Sequence, residues 1–314
     1  MNVTIVGLGM VGTSLGLALK AASSGIAVMG HDPEGQRVSR AKKLGAIDKS
    51  YWNLISACES ADLILLDLGL ETIEGALRAL RDNLRERAVI IDLAPVKRPV
   101  MAWAESILPE RAQFVGGHMV CSRQVLGQTE PSAELVRGAT FYLVAPERAA
   151  PWALEMASNL ALAEGAKPLY IDAAEHDGLV AATFGLPLLD ALALVETVKG
   201  GAGWQERAQS IGGEFAAFAN VLINMPEAAA ELMVANADNL LHWVDAYGAK
   251  VAELRQAIST KDQQTLRAMF AEAQKTCVEW LTKGGAPRSE LPMEDVGSGF
   301  RTMFLGGLGR KRPR

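Results

Sequence analysis

The chain has 314 residues, 49% of them hydrophobic and 21% charged, with a formal net charge of −5. This is the composition of an ordinary globular protein with room for about two domains, and its acidic balance gives no reason to expect a nucleic-acid partner. The three cysteines, Cys58, Cys121 and Cys277, are odd in number and lack metal-ligand spacing, which fits a reducing compartment and excludes a disulfide scaffold or a cysteine metal site.

In chain order, Met1 leads directly into a core strand, so no signal peptide is expected ahead of the fold. Val3, Ile5 and Val6 form a β-branched run that reads as a buried strand of a parallel sheet, and GLGMVG follows it. Gly7 permits a tight turn, Gly9 lets the backbone approach a pyrophosphate, and Gly12 lets the next helix sit close to the strand. Leu8, Met10 and Val11 complete the loop, and the helix that begins there turns its unpaired N–H groups toward phosphates. The second strand, IAVMGHD, ends in Asp32 about 20 residues beyond Gly12, where a carboxylate accepts hydrogen bonds from an adenosine ribose. Strand, loop, helix, strand and acid in this order predict a dinucleotide site. NAD is expected over NADP, because a 2′-phosphate would meet Asp32 with no arginine beside it, Arg37 lying into the next helix.

The alternation continues through helix SRAKKLGAI, strand ADLILLDL, helix IEGALRALRDNL, strand AVIIDLAP and helix VKRPVMAWAESIL. A short fifth strand, AQFVGGHM, ends in a Gly-Gly turn just ahead of His118, and GATFYLVAP, WALEMASNLALAEG and AKPLYID add strand, helix and strand. The expectation is an α/β, Rossmann-type, doubly wound parallel sheet over residues 1–172. From 173 to 283 there are only Ala- and Leu-rich segments of helical period, among them EAAAELMVANADNLLHWVDAYG over 227–248, so an all-helical domain follows. Residues 284–314 are rich in Gly, Pro and charge; they read as an irregular tail with one apolar patch, FRTMFL, and a solvated basic end. The apolar stretches are interrupted by Gly, Pro or charge short of a membrane span, so no membrane partner and a cytoplasmic location are expected. The segment from Leu186 to Val198 is too hydrophobic for a solvent face, which predicts a homodimer through the helical domain.

Four further stretches carry a family resemblance. IIDLAPVK is similar to the loop of prephenate and arogenate dehydrogenases that runs Asp, two residues, Ser, one residue, Lys. FVGGHMVCSRQVLG resembles their Gly-Gly-His-Pro-Met-Ala-Gly-Ser-Glu segment, AAEHDGLVAATFGLPLL their His-Asp and Ser-His-Leu-Pro-His, and GGEFAAFANVLINMPE their Gly-Gly-x-Phe-Arg-Asp stretch. The resemblance covers most of residues 1–280. It implies NAD-dependent oxidative decarboxylation of prephenate or a related cyclohexadienyl acid, as in tyrosine biosynthesis, with a small-molecule substrate between the two domains. It implies that His118 accepts the hydrogen bond of the substrate hydroxyl, a role suited to a neutral imidazole. Lys97 matches a family position as well; a solvated loop lysine is the other reading of it.

Departures from the pattern are grouped. The family serine is Pro95, its histidines are Gly185 and Leu188, its carboxylate-gripping arginine is Asn220, and its Arg-Asp pair is Ala216 and Ala217. Neither Asn nor Ala reproduces a bidentate arginine contact. Arg123 or Arg98 could supply a substitute cation, and His176, which is retained with Asp177, is a further candidate at the substrate or a structural element of a helix start. Two alternatives therefore stand beside the dehydrogenase: a non-catalytic NAD-binding sensor, and a reductase of an unrelated small substrate.

Overall fold

The structure, a computed structural model, describes residues 1–22, 25–121, 130–222 and 226–283. Arg123 and the tail 284–314 lie outside the described residues. Eight strands form one sheet: β1 Asn2–Val6, β2 Ala27–His31, β3 Lys49–Ser50, β4 Leu63–Leu66, β5 Val89–Asp92, β6 Gln113–Val120, β7 Thr140–Val144 and β8 Lys167–Tyr170, in the order 3-2-1-4-5-6-7-8. Helices α1 Met10–Ala22, α2 Gly35–Leu44, α3 Leu54–Cys58, α4 Leu70–Leu80, α5 Arg98–Ile107 and α6 Pro151–Ala163 cover its faces. The two-residue side-chain period divides the strands between two cores. Val3, Ile5, Leu63, Leu65, Val89 and Ile91 pack against α1 and α6, while Val6, Ile64, Leu66, Ile90 and Phe114 pack against α4 and α5.

The order 3-2-1-4-5-6 is that of a Rossmann sheet, and it reverses between β1 and β4, where ligands of such sheets bind. Two expectations need correction. The sheet is parallel only through β6; β7 pairs antiparallel to β6, with His118 opposite Tyr142, and β8 then runs parallel to β7. A parallel neighbour requires a crossover element, and the described part of the β6–β7 connection carries only a 3-10 turn, Ala133–Leu135. Nor does Gly116-Gly117 form a turn that ends a strand. Both glycines lie within β6, where a Cβ on Gly117 would sit 2.6 Å from the Asp92 carbonyl oxygen and one on Gly116 2.9 Å from Met101 Sδ. They serve close packing, and His118 therefore sits inside a strand.

The helical half comprises α7 Ala173–Val180, α8 Leu186–Lys199, α9 Trp204–Gln209, α10 Gly213–Ala219, α11 Pro226–Ala235, α12 Ala237–Ser259 and α13 Gln263–Lys283. Asp172 caps α7, accepting from the N–H groups of Ala174 and Glu175. A π-helical turn, Ala181–Gly185, joins α7 to α8 just ahead of Pro187, whose missing N–H would otherwise leave a gap in the ladder. The result is one helical run of 27 residues, Ala173–Lys199, whose most apolar stretch has a mean hydropathy of 1.9. By length and composition it could cross a membrane, so the expectation that Gly and Pro interrupt every such stretch does not hold. The expected single segment from Glu227 to Gly248 is instead broken at Asn236, whose buried amide donates to the Asp177 carbonyl oxygen at 2.7 Å.

Candidate active site

The first part of the site lies where β1 and β4 end side by side. Gly7 has a φ of +94°, and a Cβ there would fall 1.9 Å from the Asp67 carbonyl oxygen, so only glycine fits. A Cβ on Gly12 would stand 2.2 Å from the Gly7 carbonyl oxygen, which explains the close seating of α1. Leu8 is fully buried and its N–H donates to Asp32 Oδ2 at 2.7 Å; Gly9, Met10 and Val11 are the partly exposed part of the loop. Asp32 is 5% exposed, and its Oδ1 accepts from the Glu34 N–H at 2.8 Å. The cradle, the start of α1 and an anchored carboxylate at the end of β2 fit a dinucleotide. Arg37 stands closer than expected: its Nη1 is 3.8 Å from Asp32 and its Nη2 2.9 Å from Glu34. Because two carboxylates already share it, a 2′-phosphate would still meet net negative charge.

The second part joins the two halves of the chain. His118 Nδ1 lies 2.9 Å from His176 Nε2, and His176 Nδ1 lies 3.0 Å from Asp177 Oδ1. Tyr142, opposite His118 in β7, flanks both imidazoles, with ring centroids 6.4 Å from His118 and 5.5 Å from His176. Asp177 is wholly buried and also accepts from the N–H groups of Lys97 (2.7 Å) and Arg98 (2.9 Å), so a carboxylate from α7 caps the start of α5. Burial works to raise the Asp177 pKa, but hydrogen bonds from His176, Arg98 and Lys97 outweigh it and hold the carboxylate below the ordinary range. The His118 pKa is lowered as well, but here burial is the main cause: burial first, then His176 and Lys97, keep it well below its ordinary value and hence neutral.

Lys97 is not a solvated lysine. It is fully buried, with Nζ donating to Asp92 and to the Gly117 carbonyl oxygen at 2.6 Å. Burial lowers its pKa and raises that of Asp92, while their mutual attraction opposes both shifts. Its contacts pin β5 to β6 immediately before His118. Sequence reasoning passed over Asp92, Tyr142 and Asp67; only Asp92 had a visible signal, as the first residue of the Asp…Lys motif.

The remaining candidates disperse. Arg98 is committed: its guanidinium holds Asp238 at 2.7 Å and Asp177 at 3.3 Å, closing α5 against α7 and α12. Gly185 faces Leu232 and Leu240, where a Cβ would come 3.2 Å from Leu240 Cδ1, and Leu188 is buried, so both histidine positions have become apolar packing. Asn220 is exposed, in a 3-10 turn packed on α8 and α10, and the described contacts do not bring it to His118.

Comparison with known proteins follows this division. Residues 15–170 match the family model "Prephenate dehydrogenase, nucleotide-binding domain", and residues 172–272 match "Prephenate dehydrogenase, dimerization domain". The chain belongs to the prephenate/arogenate dehydrogenase family. It is an NAD-dependent dehydrogenase of the prephenate type. The first match begins after the glycine loop, whose assignment rests on its own geometry. The Bacillus subtilis prephenate dehydrogenase is 24% identical over 274 residues, covering 87% of this chain and 74% of that one. The Zymomonas mobilis cyclohexadienyl dehydrogenase is 25% identical over 279 residues, covering 87% and 94%. The crystal structure of A. aeolicus prephenate dehydrogenase, in complex with hydroxyphenyl propionate and NAD+, shares the fold with a TM-score of 0.78 at 23% identity, covering 89% of this chain and 98% of that one.

Proposed function

We propose that the chain oxidises and decarboxylates a cyclohexadienyl acid related to prephenate, with His118 as the catalytic residue. The observation that carries this is the His118–His176–Asp177 chain. NAD, when bound, supplies the hydride acceptor. The Asp177 carboxylate requires the proton of His176 to sit on Nδ1, which leaves His176 Nε2 as an acceptor. His118 must then donate from Nδ1, and its Nε2 keeps a lone pair for the substrate hydroxyl. That hydroxyl proton moves toward Nε2 as the carbinol carbon loses hydride. It returns to the oxygen when the bond to the carboxyl carbon breaks, carbon dioxide leaves and its electron pair makes the ring aromatic. Lys97 acts at a distance, as a positioning residue that seats β6 through Asp92 and Gly117.

The division into 1–172 and 173–283 is part of the same proposal, as are a homodimer through the second domain and a cytoplasmic location. Support for the dimer comes from apolar side chains left uncovered on the helices, among them Leu192, Phe218, Leu241, Val251, Ile258 and Phe270. The apolar run Ala173–Lys199 then has a dimer partner as its cover, in place of lipid.

The test is NADH absorbance with prephenate and arogenate, using the wild type and His118→Ala. Turnover should vanish in the variant while its NAD affinity stays within about twofold, since each factor of ten is only about 1.4 kcal/mol. An active His118→Ala protein would refute the assignment.

A further inference from the structure

Among the residues at the cofactor cradle, one has chemistry opposed to the ligand. β1 and β4 are in register with Val6 beside Leu66, so Gly7 and Asp67 step off adjacent strands at the point where the strand order reverses. The Asp67 N–H donates to the Val6 carbonyl oxygen at 2.8 Å, and the Gly7 Cα presses on the Asp67 carbonyl, so the backbone of this residue is fixed against the loop. Its side chain turns inward. Oδ2 accepts from the Gly12 N–H at 2.7 Å, in the first turn of α1, and lies 3.4 Å from where a Cβ on Gly9 would stand. An acidic side chain thus already uses one of the N–H groups at the positive end of α1, among the glycines that give the pyrophosphate its approach.

We infer that Asp67 makes dinucleotide binding proton-linked, entering the complex as the neutral acid and opposing the dinucleotide when ionised. The inference rests on the NAD reading above. A carboxylate beside a pyrophosphate is a like-charge pair, and the cheapest relief is for one member to take a proton. The neutral acid keeps an oxygen for the Gly12 N–H and gains an O–H for a phosphate oxygen. Neighbouring groups do not cancel the repulsion. On the β2–α2 side Arg37, held by Asp32 and Glu34, acts on Asp67 more strongly than the opposing Asp32 carboxylate, but burial outweighs both. Beyond Gly69, Glu231 of α11 adds one more carboxylate, which accepts from the Glu71 N–H of α4 at 3.4 Å. Burial already pushes Asp67 up to about 6, against the pull of the Gly12 N–H. The approach of the dianionic pyrophosphate raises it further.

The experiment is calorimetric titration of the full chain with NAD between pH 5.5 and 8.5, in buffer pairs of different ionisation enthalpy. The wild type should take up about one proton per NAD above pH 7 and lose up to tenfold in affinity per pH unit. Asp67→Asn keeps the oxygen that accepts from Gly12 but cannot ionise, so it should bind NAD with no slope and at least tenfold more tightly at pH 8. The proton count needs no variant and stands if Asp67→Asn fails to fold. NAD binding with no proton uptake and no slope in the wild type would overturn the inference and leave the cofactor assignment intact. The same is true of an Asn variant that keeps the wild-type slope. Absence of NAD binding at every pH in both proteins would instead overturn the cofactor reading together with this one.

Discussion

Replacing Asp177 by alanine removes the acceptor of four hydrogen bonds at the seam between the two halves. The donors are the N–H groups of Lys97 and Arg98, the Arg98 guanidinium at 3.3 Å and His176 Nδ1 at 3.0 Å. Lys97 and His176 are fully or almost fully buried, so water does not replace the lost oxygen there. Arg98 is partly exposed and retains Asp238, so its share of the loss is smaller. An unsatisfied buried donor costs about 1–3 kcal/mol, and removing one partner of a buried ion pair about 3–5 kcal/mol. Two buried donors and a weakened arginine place the total at about 3–5 kcal/mol, a large part of an ordinary folding stability of about 5–15 kcal/mol. Asp177→Asn preserves volume and one acceptor and should cost about 1–2 kcal/mol. Its amide, however, can face His176 Nδ1 with an N–H, which reverses the tautomer chain and puts the proton on His118 Nε2. Turnover should then fall by a factor of about 10²–10⁴. Urea unfolding and steady-state kinetics read the two effects separately. An Asp177→Ala protein within 1 kcal/mol of wild type, or an Asp177→Asn protein with full turnover, would refute the reasoning.

Because burial keeps the folded pKa of His118 well below 6.5, the base stays neutral in mild acid and the acid limb of kcat/KM should fall below pH 6.5. The unfolded chain binds that proton more readily, so this residue lowers folding stability as pH drops from about 6.5 toward the folded pKa, which unfolding curves at stepped pH will show. Asp177 has the opposite linkage. Its folded pKa is lowered, so its contribution is complete above about pH 4 and is lost as pH falls through the folded value. Prephenate itself should be a poor substrate: with Gly185 packed on leucines and Asn220 in place of arginine, two polar contacts of about 2–3 kcal/mol each are missing, about three orders of magnitude in kcat/KM. A kcat/KM for prephenate above about 10⁵ M⁻¹s⁻¹ would contradict this. Light scattering at micromolar concentration should give twice the chain mass, and a monomer there would remove the account of the uncovered helix faces.

What the sequence determined by itself is what short stretches encode. The glycine loop, the strand before it and Asp32 lie within 32 residues, and each requirement, a positive φ at Gly7 or a carboxylate at a strand end, is met locally. Periodicity separated the sheet from the helices for the same reason, since side-chain direction repeats every two or every 3.6 residues whatever the chain later touches. His118 was legible through the motif around it. The tertiary structure decided the rest, because it depends on residues brought together from far apart. Lys97 reads equally as a site residue or as a solvated loop lysine until β6 covers it and Asp92 meets its charge. The Gly-Gly pair reads as a turn until neighbouring strand and helix atoms are seen to leave no room for a Cβ on either residue. His176 and Asp177 read as the start of a helix, yet they orient an imidazole 58 residues away and cap a helix 79 and 80 residues away. Asp67 reads as the polar end of a buried strand. Only the adjacency of β1 and β4 turns it toward Gly12, because register between strands is set by burial across the whole sheet, and spacing along the chain does not record it.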